Sequence, residues 1–189
     1  MTSVSDDLLS RSLAGLEKLS VLYPRGDGDS TFKDEVSVAK VLAALGKFTE
    51  IVRYLNTRRS TGAVLDLSDE AAVQDIVYLM LRPWIGDISY ENPTDKVANR
   101  FAIKDFVSKA GRFVIEAKYV RNQDHGKSLV KEINDDIEMY RYHPHCDDLV
   151  FFIYDPEGNI PDVAALERHL NTSRSYDGKA LRCHGIVKP

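Results

Sequence analysis

Apolar residues recur at a helical spacing through the first part of the chain. Residues 5–21 carry leucines at intervals of three and four, and Ser5 precedes them as a candidate N-cap. A second apolar stripe follows Thr31 and continues to about Leu55. This pattern predicts two helices that form a hairpin. The hairpin's apolar face could pack either on the main domain or on a second copy of the chain.

The pattern then changes from helical to strand-like. A third helix is predicted from Ser68 to the residue before Pro83, because Ser68 is a suitable N-cap and proline ends a helix. Residues 102–107 and 112–120 follow with strand-like patterning on either side of a short turn at Gly111. The sequence therefore predicts a β-hairpin.

The second half of the chain predicts further helices and strands in alternation. A helix is predicted over about 127–140, and the unbroken apolar run 149–154 is typical of a strand buried on both faces. A last helix is predicted after Pro161, and residues 180–187 are predicted to form a closing edge strand. The fold class is therefore α/β, with a mixed β-sheet flanked by helices.

Length and composition fit this picture. A chain of 189 residues suits one domain with a small addition, so we expect a helical extension at 1–60 and the α/β domain at 61–189. With 43% hydrophobic and 29% charged residues, collagen-like, disordered and membrane-spanning classes are excluded. The two cysteines cannot build a disulfide scaffold, and the first residues do not resemble a signal peptide. We therefore expect a cytoplasmic protein.

Charge is unevenly distributed along the chain. The formal net charge of −4 argues against a protein that coats nucleic acid nonspecifically. Residues 96–131, however, carry nine basic and three acidic side chains. Such a segment can form a local polyanion site, because only charges within about 8 Å, the Debye length, are strongly felt. The alternative is that these basic side chains only solvate the outer faces of strands.

Three residues of the hairpin are candidates for chemistry. Asp105 lies on its first strand, while Glu116 and Lys118 lie two apart on its second strand and should share a face. Carboxylate oxygens suit Mg²⁺ or Mn²⁺, which can activate a water for attack on a phosphate. Lys118 could orient that water or help to deprotonate it. The alternative is a cross-strand salt bridge on a solvated face.

The order of these elements resembles that of a known nuclease superfamily. Asp105, then ten residues, then Glu116-Ala117-Lys118 across a hairpin resembles the PD-(D/E)XK pattern, with a helix bearing Glu70 before it and a helix and a buried strand after it. More narrowly, residues 65–175 resemble restriction-endonuclease-like domains of the DpnII-MboI type, found in restriction enzymes and bacterial defence proteins. The segments that carry this resemblance are 70–75, 104–106, 114–118, 135–140, 143–144 and 151–156.

The resemblance implies a metal-dependent endonuclease that hydrolyses DNA phosphodiester bonds, in restriction or anti-phage defence. Asp105 and Glu116 would be metal ligands together with the main-chain carbonyl of Ala117, and Glu70 would complete the site. Lys118 would position the attacking water. The implied cofactor is Mg²⁺ or Mn²⁺, and the implied catalytic residues are the four side chains Asp105, Glu116, Lys118 and Glu70.

Two features depart from the family pattern. Lys104 stands where many members have Pro or Ser, which puts a positive charge beside the site. The helix that follows the hairpin carries Asp136 and Tyr140 and has no Gln-x-x-x-Tyr, so no substrate-orienting glutamine is expected. We expect Lys104, Arg121 and Lys127 to contact nucleic-acid phosphates.

Other interpretations remain open at this point. The chain could be a nuclease-fold binding or assembly module that is inactive or activated by a partner, or a nuclease that acts on RNA. We expect DNA as the partner, no membrane, and either a homodimer or a place in a defence complex. A zinc loop at His143, His145, Cys146 and Asp147 is less favoured, because a helix-ending turn at Pro144 also explains these residues.

Overall fold

The computed structural model describes most of the chain from residue 37 onward. The described ranges are 37–57, 62, 65–91, 104–176 and 178–189, without the side chains at 90, 91, 104 and 105. The predicted helix 5–21 and part of the basic segment, including Lys96 and Arg100, lie outside these ranges.

Five helices are present in the described residues, and polar caps define where most of them begin. They are α1 (Val38–Leu45), α2 (Phe48–Thr57), α3 (Glu70–Leu81), α4 (Gln123–Tyr140) and α5 (Val163–Leu170). The side chains that accept a backbone N–H at the helix starts are Ser37, Asp69, Asn122 and Asp162. Within the described ranges, no helix is long and apolar enough to cross a membrane.

In the described residues, six strands form one mixed sheet in the order β1-β2-β3-β4-β6-β5. They are β1 (Ser89–Glu91), β2 (Lys104–Ser108), β3 (Phe113–Tyr119), β4 (Asp148–Tyr154), β5 (Ser173–Tyr176) and β6 (Lys179–Lys188). The central strands β3, β4 and β6 are parallel, while β1, β2 and β5 pair antiparallel at the two sides. Parallel neighbours need a crossover connection, and α4 supplies the one between β3 and β4. The predicted α/β class with a mixed sheet is confirmed.

Helices cover both faces of the sheet. Because side chains alternate along a strand, Ile115 and Phe152 face α1, α2 and α3, while Val114 and Phe151 face α4 and α5. Every residue of β4 is buried, as its unbroken apolar run predicted. The centre of the sheet is therefore closed to water on both sides.

The prediction of one continuous helix from Thr31 to about Leu55 was wrong within the described residues, where two helices are present. The Lys47 N–H bonds to the Ala44 carbonyl, three residues back, in a tighter turn that ends α1 at Leu45. A new helix then begins at Phe48. The break allows Phe48 to point into the core, where it is fully buried.

The closing strand was also placed wrongly by the sequence pattern. β6 lies inside the sheet, between β4 and β5, and is not an edge strand. The edge is β5, four residues that are alternately exposed and half-buried. Such a short polar segment lacks the apolar alternation on which a strand prediction depends.

Helices α1 and α2 pack as part of the domain. Val41, Leu45 and Phe48 belong to the same apolar cluster as the sheet residues. The ring centroids of Phe48 and Phe152 lie 4.7 Å apart. Residues from Val36 to Pro189 form one compact unit, so residues 38–57 of the proposed extension, 1–60, lie in it. The proposed boundary at residue 60 stays a prediction, and the packing favours placing it near residue 36.

Replacement of Phe48 tests whether α2 is part of the core. Phe48→Ala removes a fully buried ring and is expected to lower the free energy of unfolding by about 3–5 kcal/mol in urea denaturation. Arg53→Ala, an exposed position on the same helix, should change it by less than about 0.5 kcal/mol. Equal, small effects of both substitutions would contradict the packing of α2 on the sheet.

Candidate active site

Glu116 and Lys118 form a buried ion pair on β3. Only 8% of Glu116 and 7% of Lys118 is exposed. The Lys118 Nζ donates to Glu116 Oε1 at 3.0 Å, as expected for residues two apart on one face of a strand. The pair is therefore not a salt bridge on a solvated face. Charged groups at this depth need a partner or a function, because desolvation of an unpaired charge is costly.

Asp136 of α4 provides a second carboxylate to Lys118. Its Oδ2 lies 2.8 Å from Lys118 Nζ. Asp136 comes three residues after Ile133 and four before Tyr140, both buried, so this edge of α4 faces the sheet. Lys118 thus lies between a carboxylate on its own strand and one on the helix above it.

The charges of this cluster shift the protonation of its members. Burial lowers the pKa of Lys118, but the charges of Glu116 and Asp136 outweigh burial and hold it above its ordinary value. Burial, and next the charge of Glu116, raise the pKa of Asp136 to about 6 although Lys118 opposes the shift. Lys118 is therefore a firmly protonated ammonium that can donate hydrogen bonds. This favours the predicted role of Lys118 in orienting a water, and its role in deprotonating that water stays a prediction.

Glu70 lies at the same end of β3. It occupies the first turn of α3, and its carboxylate interacts electrostatically with Lys118 and Glu116. Partial burial raises the pKa of Glu70, the positive charge of Lys118 lowers it, and the negative charge of Glu116 raises it further. The residue as a whole remains exposed, so water moderates these effects. Glu70 is thus an electrostatic neighbour of Glu116 and Lys118, and its place in a metal site stays a prediction.

Sequence reasoning missed His125 in the first turn of α4. Its Nδ1 accepts a hydrogen bond from the backbone N–H of Arg121 at 3.2 Å, and its Nε2 lies 3.4 Å from Glu132 Oε2. This arrangement assigns the proton of a neutral ring to Nε2. His125 is buried, four residues before Leu129, and its only sequence signal was this position on the apolar stripe of α4. It is an electrostatic neighbour of Glu70.

Asp105 is placed by its backbone alone. It lies in β2, next to Phe106, whose partner across the hairpin is Ile115. Continuing this antiparallel register by one residue puts Asp105 opposite Glu116. The side chains of Asp105 and Lys104 lie outside the described part of the chain, so their roles stay predictions.

The predicted phosphate contacts Arg121 and Lys127 flank the start of α4, and both are exposed. Lys127 forms an i,i+3 ion pair with Asp124 at 3.3 Å on the surface. Exposed pairs of this kind contribute little to stability and exchange readily for other partners. Both cations are accessible to a ligand, and their role in nucleic-acid binding stays a prediction.

The donor set suits a hard divalent cation. Glu116 Oε2 is buried without a hydrogen-bond partner among the described residues. An unsatisfied buried carboxylate oxygen is costly, and carboxylate oxygens are the ligands that Mg²⁺ prefers. In the described part of the chain, which omits the Asp105 side chain, no three His, Cys, Asp or Glu residues form a ready metal cluster. The residues of the suggested zinc loop likewise form no such cluster there, and Cys146 Sγ contacts the Asp148 carbonyl at 3.4 Å.

A comparison with known protein families finds a match that covers more of the chain than the candidate site. The family model of DpnII-MboI restriction endonucleases, REase_DpnII-MboI, matches residues 39–181. No curated protein and no solved structure matches the chain. The matched range runs from α1 into β6, further at its N-terminal side than the resemblance noted over 65–175.

The raised pKa of Asp136 predicts a pH dependence of stability. Because the folded protein holds this proton up to about pH 6, whereas the ordinary aspartate pKa is 3.8, the contribution of Asp136 to stability falls as pH rises between these values. The free energy of unfolding of the wild type, minus that of Asp136→Asn, should therefore decrease from pH 4 to pH 6 in urea denaturation. Asp135→Asn, exposed at the neighbouring position, is the control and should show no such trend. A flat difference for Asp136→Asn would contradict the shift.

Proposed function

Because the chain belongs to the DpnII-MboI restriction endonuclease family, we propose that it is a metal-dependent endonuclease that hydrolyses DNA phosphodiester bonds in bacterial restriction or anti-phage defence. The observation that carries this proposal is the buried Glu116 carboxylate. One of its oxygens pairs with Lys118, and the other has no partner within the described residues. That oxygen is available to a cation.

The proposed ligands are Glu116, Asp105 and the main-chain carbonyl of Ala117, with Glu70 completing the set. Glu116 supports this assignment by its orphaned oxygen, and Glu70 by its electrostatic coupling to Glu116. Bound there, Mg²⁺ or Mn²⁺ supplies an activated water nucleophile and stabilises the charge that develops on the phosphate. The carboxylates would hold the cation beside β3.

Lys118 orients the reacting groups through its N–H bonds. Its ammonium has three donors, and two carboxylates hold it at Glu116 and Asp136. Donation to the attacking water or to a phosphate oxygen places a positive charge where negative charge grows during the reaction. The raised pKa of Lys118 favours this donor role.

The proposed substrate surface is local. The chain as a whole carries a net charge of −4, so phosphate contacts must come from a few cations near the site, for which Lys104, Arg121 and Lys127 are the candidates. Binding through a small number of phosphates weakens with rising salt. A homodimer or a defence-complex partner remains part of the proposal.

Two substitutions in the site test the reaction, with a matched exposed pair as control. Glu116→Gln and Lys118→Met should each lower Mg²⁺-dependent cleavage of plasmid DNA at least about 100-fold, because they remove a metal ligand and a transition-state donor. Lys47 and Glu50 form a chemically identical ion pair on the surface, 69% and 73% exposed. Glu50→Gln and Lys47→Met should leave cleavage within about twofold.

Removal of the metal gives a second test. We expect EDTA to abolish cleavage and Mn²⁺ to restore it, and calorimetric titration should show Mn²⁺ binding that Glu116→Gln weakens at least about 10-fold. The same assay is run on linear, single-stranded and RNA substrates. Cleavage of RNA alone would replace DNA as the substrate. Intact Mn²⁺ binding without cleavage of any substrate would favour the inactive binding module over the nuclease.

A further inference from the structure

Two carboxylates from two different elements hold Lys118. Glu116 Oε1 on β3 lies 3.0 Å from its Nζ, and Asp136 Oδ2 on α4 lies 2.8 Å away. A buried ammonium with only one counter-charge would be poorly compensated, and loss of a partner from such a group is strongly destabilising. Both carboxylates therefore contribute to the position of Lys118.

These two partners differ in what happens when a cation binds. In the proposed function, on which this inference rests, Glu116 is a ligand of a divalent cation. The cation then competes with Lys118 for that carboxylate and repels its ammonium. Asp136 is attached to α4, and its Oδ2 forms an ion pair with Lys118 Nζ without the geometry of a hydrogen bond in the described residues. We propose that Asp136 is a positioning residue that keeps the Lys118 ammonium beside Glu116 when Glu116 binds the metal.

The surroundings of Asp136 suit this role. Its neighbour Ile137 is buried, and only 21% of the Asp136 side chain is exposed. Helix α4 packs on the sheet along the stripe that includes Leu129 and Ile133. The backbone that carries Asp136 is therefore fixed by packing that does not involve Glu116, which is what a positioning group requires.

In the described residues, the other charged groups near Lys118 come from α3 and α4. Glu70 on α3 and Glu132 on α4 add negative charge near the cluster, and His125 lies close to both of them. Of these groups, only Glu116 and Asp136 lie within ion-pair distance of Lys118 Nζ in the described residues. The function assigned to Asp136 is therefore specific to that side chain.

Nitrogen-15 NMR of the lysine ammonium groups, recorded with saturating Mg²⁺ and without substrate, tests the inference in the state in which Glu116 binds the metal. A held, buried ammonium exchanges its protons slowly, so the wild type should show a Lys118 signal, identified by its absence in Lys118→Met. Asp136→Asn should broaden this signal beyond detection. Asp135→Asn, which removes the same charge from the exposed neighbouring position, should retain it. A missing wild-type signal, or an unchanged one in Asp136→Asn, would overturn the proposal. Thermal melts verify that each variant is folded.

A double-mutant cycle on Mn²⁺ affinity separates positioning from direct metal binding. Without Asp136, Lys118 pairs with Glu116 alone and competes more strongly with Mn²⁺ for the Glu116 carboxylate. Asp136→Asn should therefore weaken Mn²⁺ binding about 10-fold in the wild-type background. In the Lys118→Met background the same substitution should change the affinity by less than about twofold. An equal loss in both backgrounds would overturn the proposal, because Asp136 would then act on the metal itself.

The two experiments also separate this inference from the proposed nuclease activity. If the ammonium signal behaves as expected but no substrate is cleaved, Asp136 holds Lys118 and the nuclease proposal fails. If plasmid DNA is cleaved and Asp136→Asn leaves both kcat and KM unchanged, the nuclease proposal stands and the positioning role fails. We expect Asp136→Asn to lower kcat about 10-fold or more, with KM for DNA within about twofold.

Discussion

The rest of the site depends on how a lysine and a glutamate are kept charged inside an apolar sheet. β3 and β4 lie side by side at the centre of the fold, and almost every residue of both is buried. Glu116 and Lys118 leave water only because each has the other as a partner and because Asp136 comes from the covering helix. The sheet excludes water, and the two carboxylates provide the interactions with Lys118 that water would otherwise make. A low local dielectric then strengthens the interaction of these charges with a cation or a phosphate.

The elements nearest the site could be predicted from sequence because their patterns are local. The unbroken apolar run of β4 indicated burial on both faces, and Asp69, the cap of α3, lies within one residue of the predicted position. The shared face of Glu116 and Lys118 follows from the two-residue period of a strand. These features depend on residues close together in the chain, where pattern and structure agree.

Features that depend on distant residues were not predictable in this way. Asp136 was visible in the sequence as a residue of a helix, but its contact with Lys118 depends on the angle at which α4 crosses the sheet. His125 occupied an apolar-stripe position, and nothing local showed that Arg121 and Glu132 would satisfy both its ring nitrogens. The internal place of β6 depends on β5, whose pattern is too short and polar to indicate a strand.

The polar character of β5 bears on how copies of the protein can associate. An edge strand exposes unpaired backbone groups that can recruit a strand from another chain, and short, polar or charged edges discourage this. β5 has four residues, Ser173–Tyr176, and Arg174 lies at its centre. This side of the sheet is thereby protected from growing into a continuous intermolecular sheet. Backbone pairing of this edge with a strand from a second copy is therefore disfavoured.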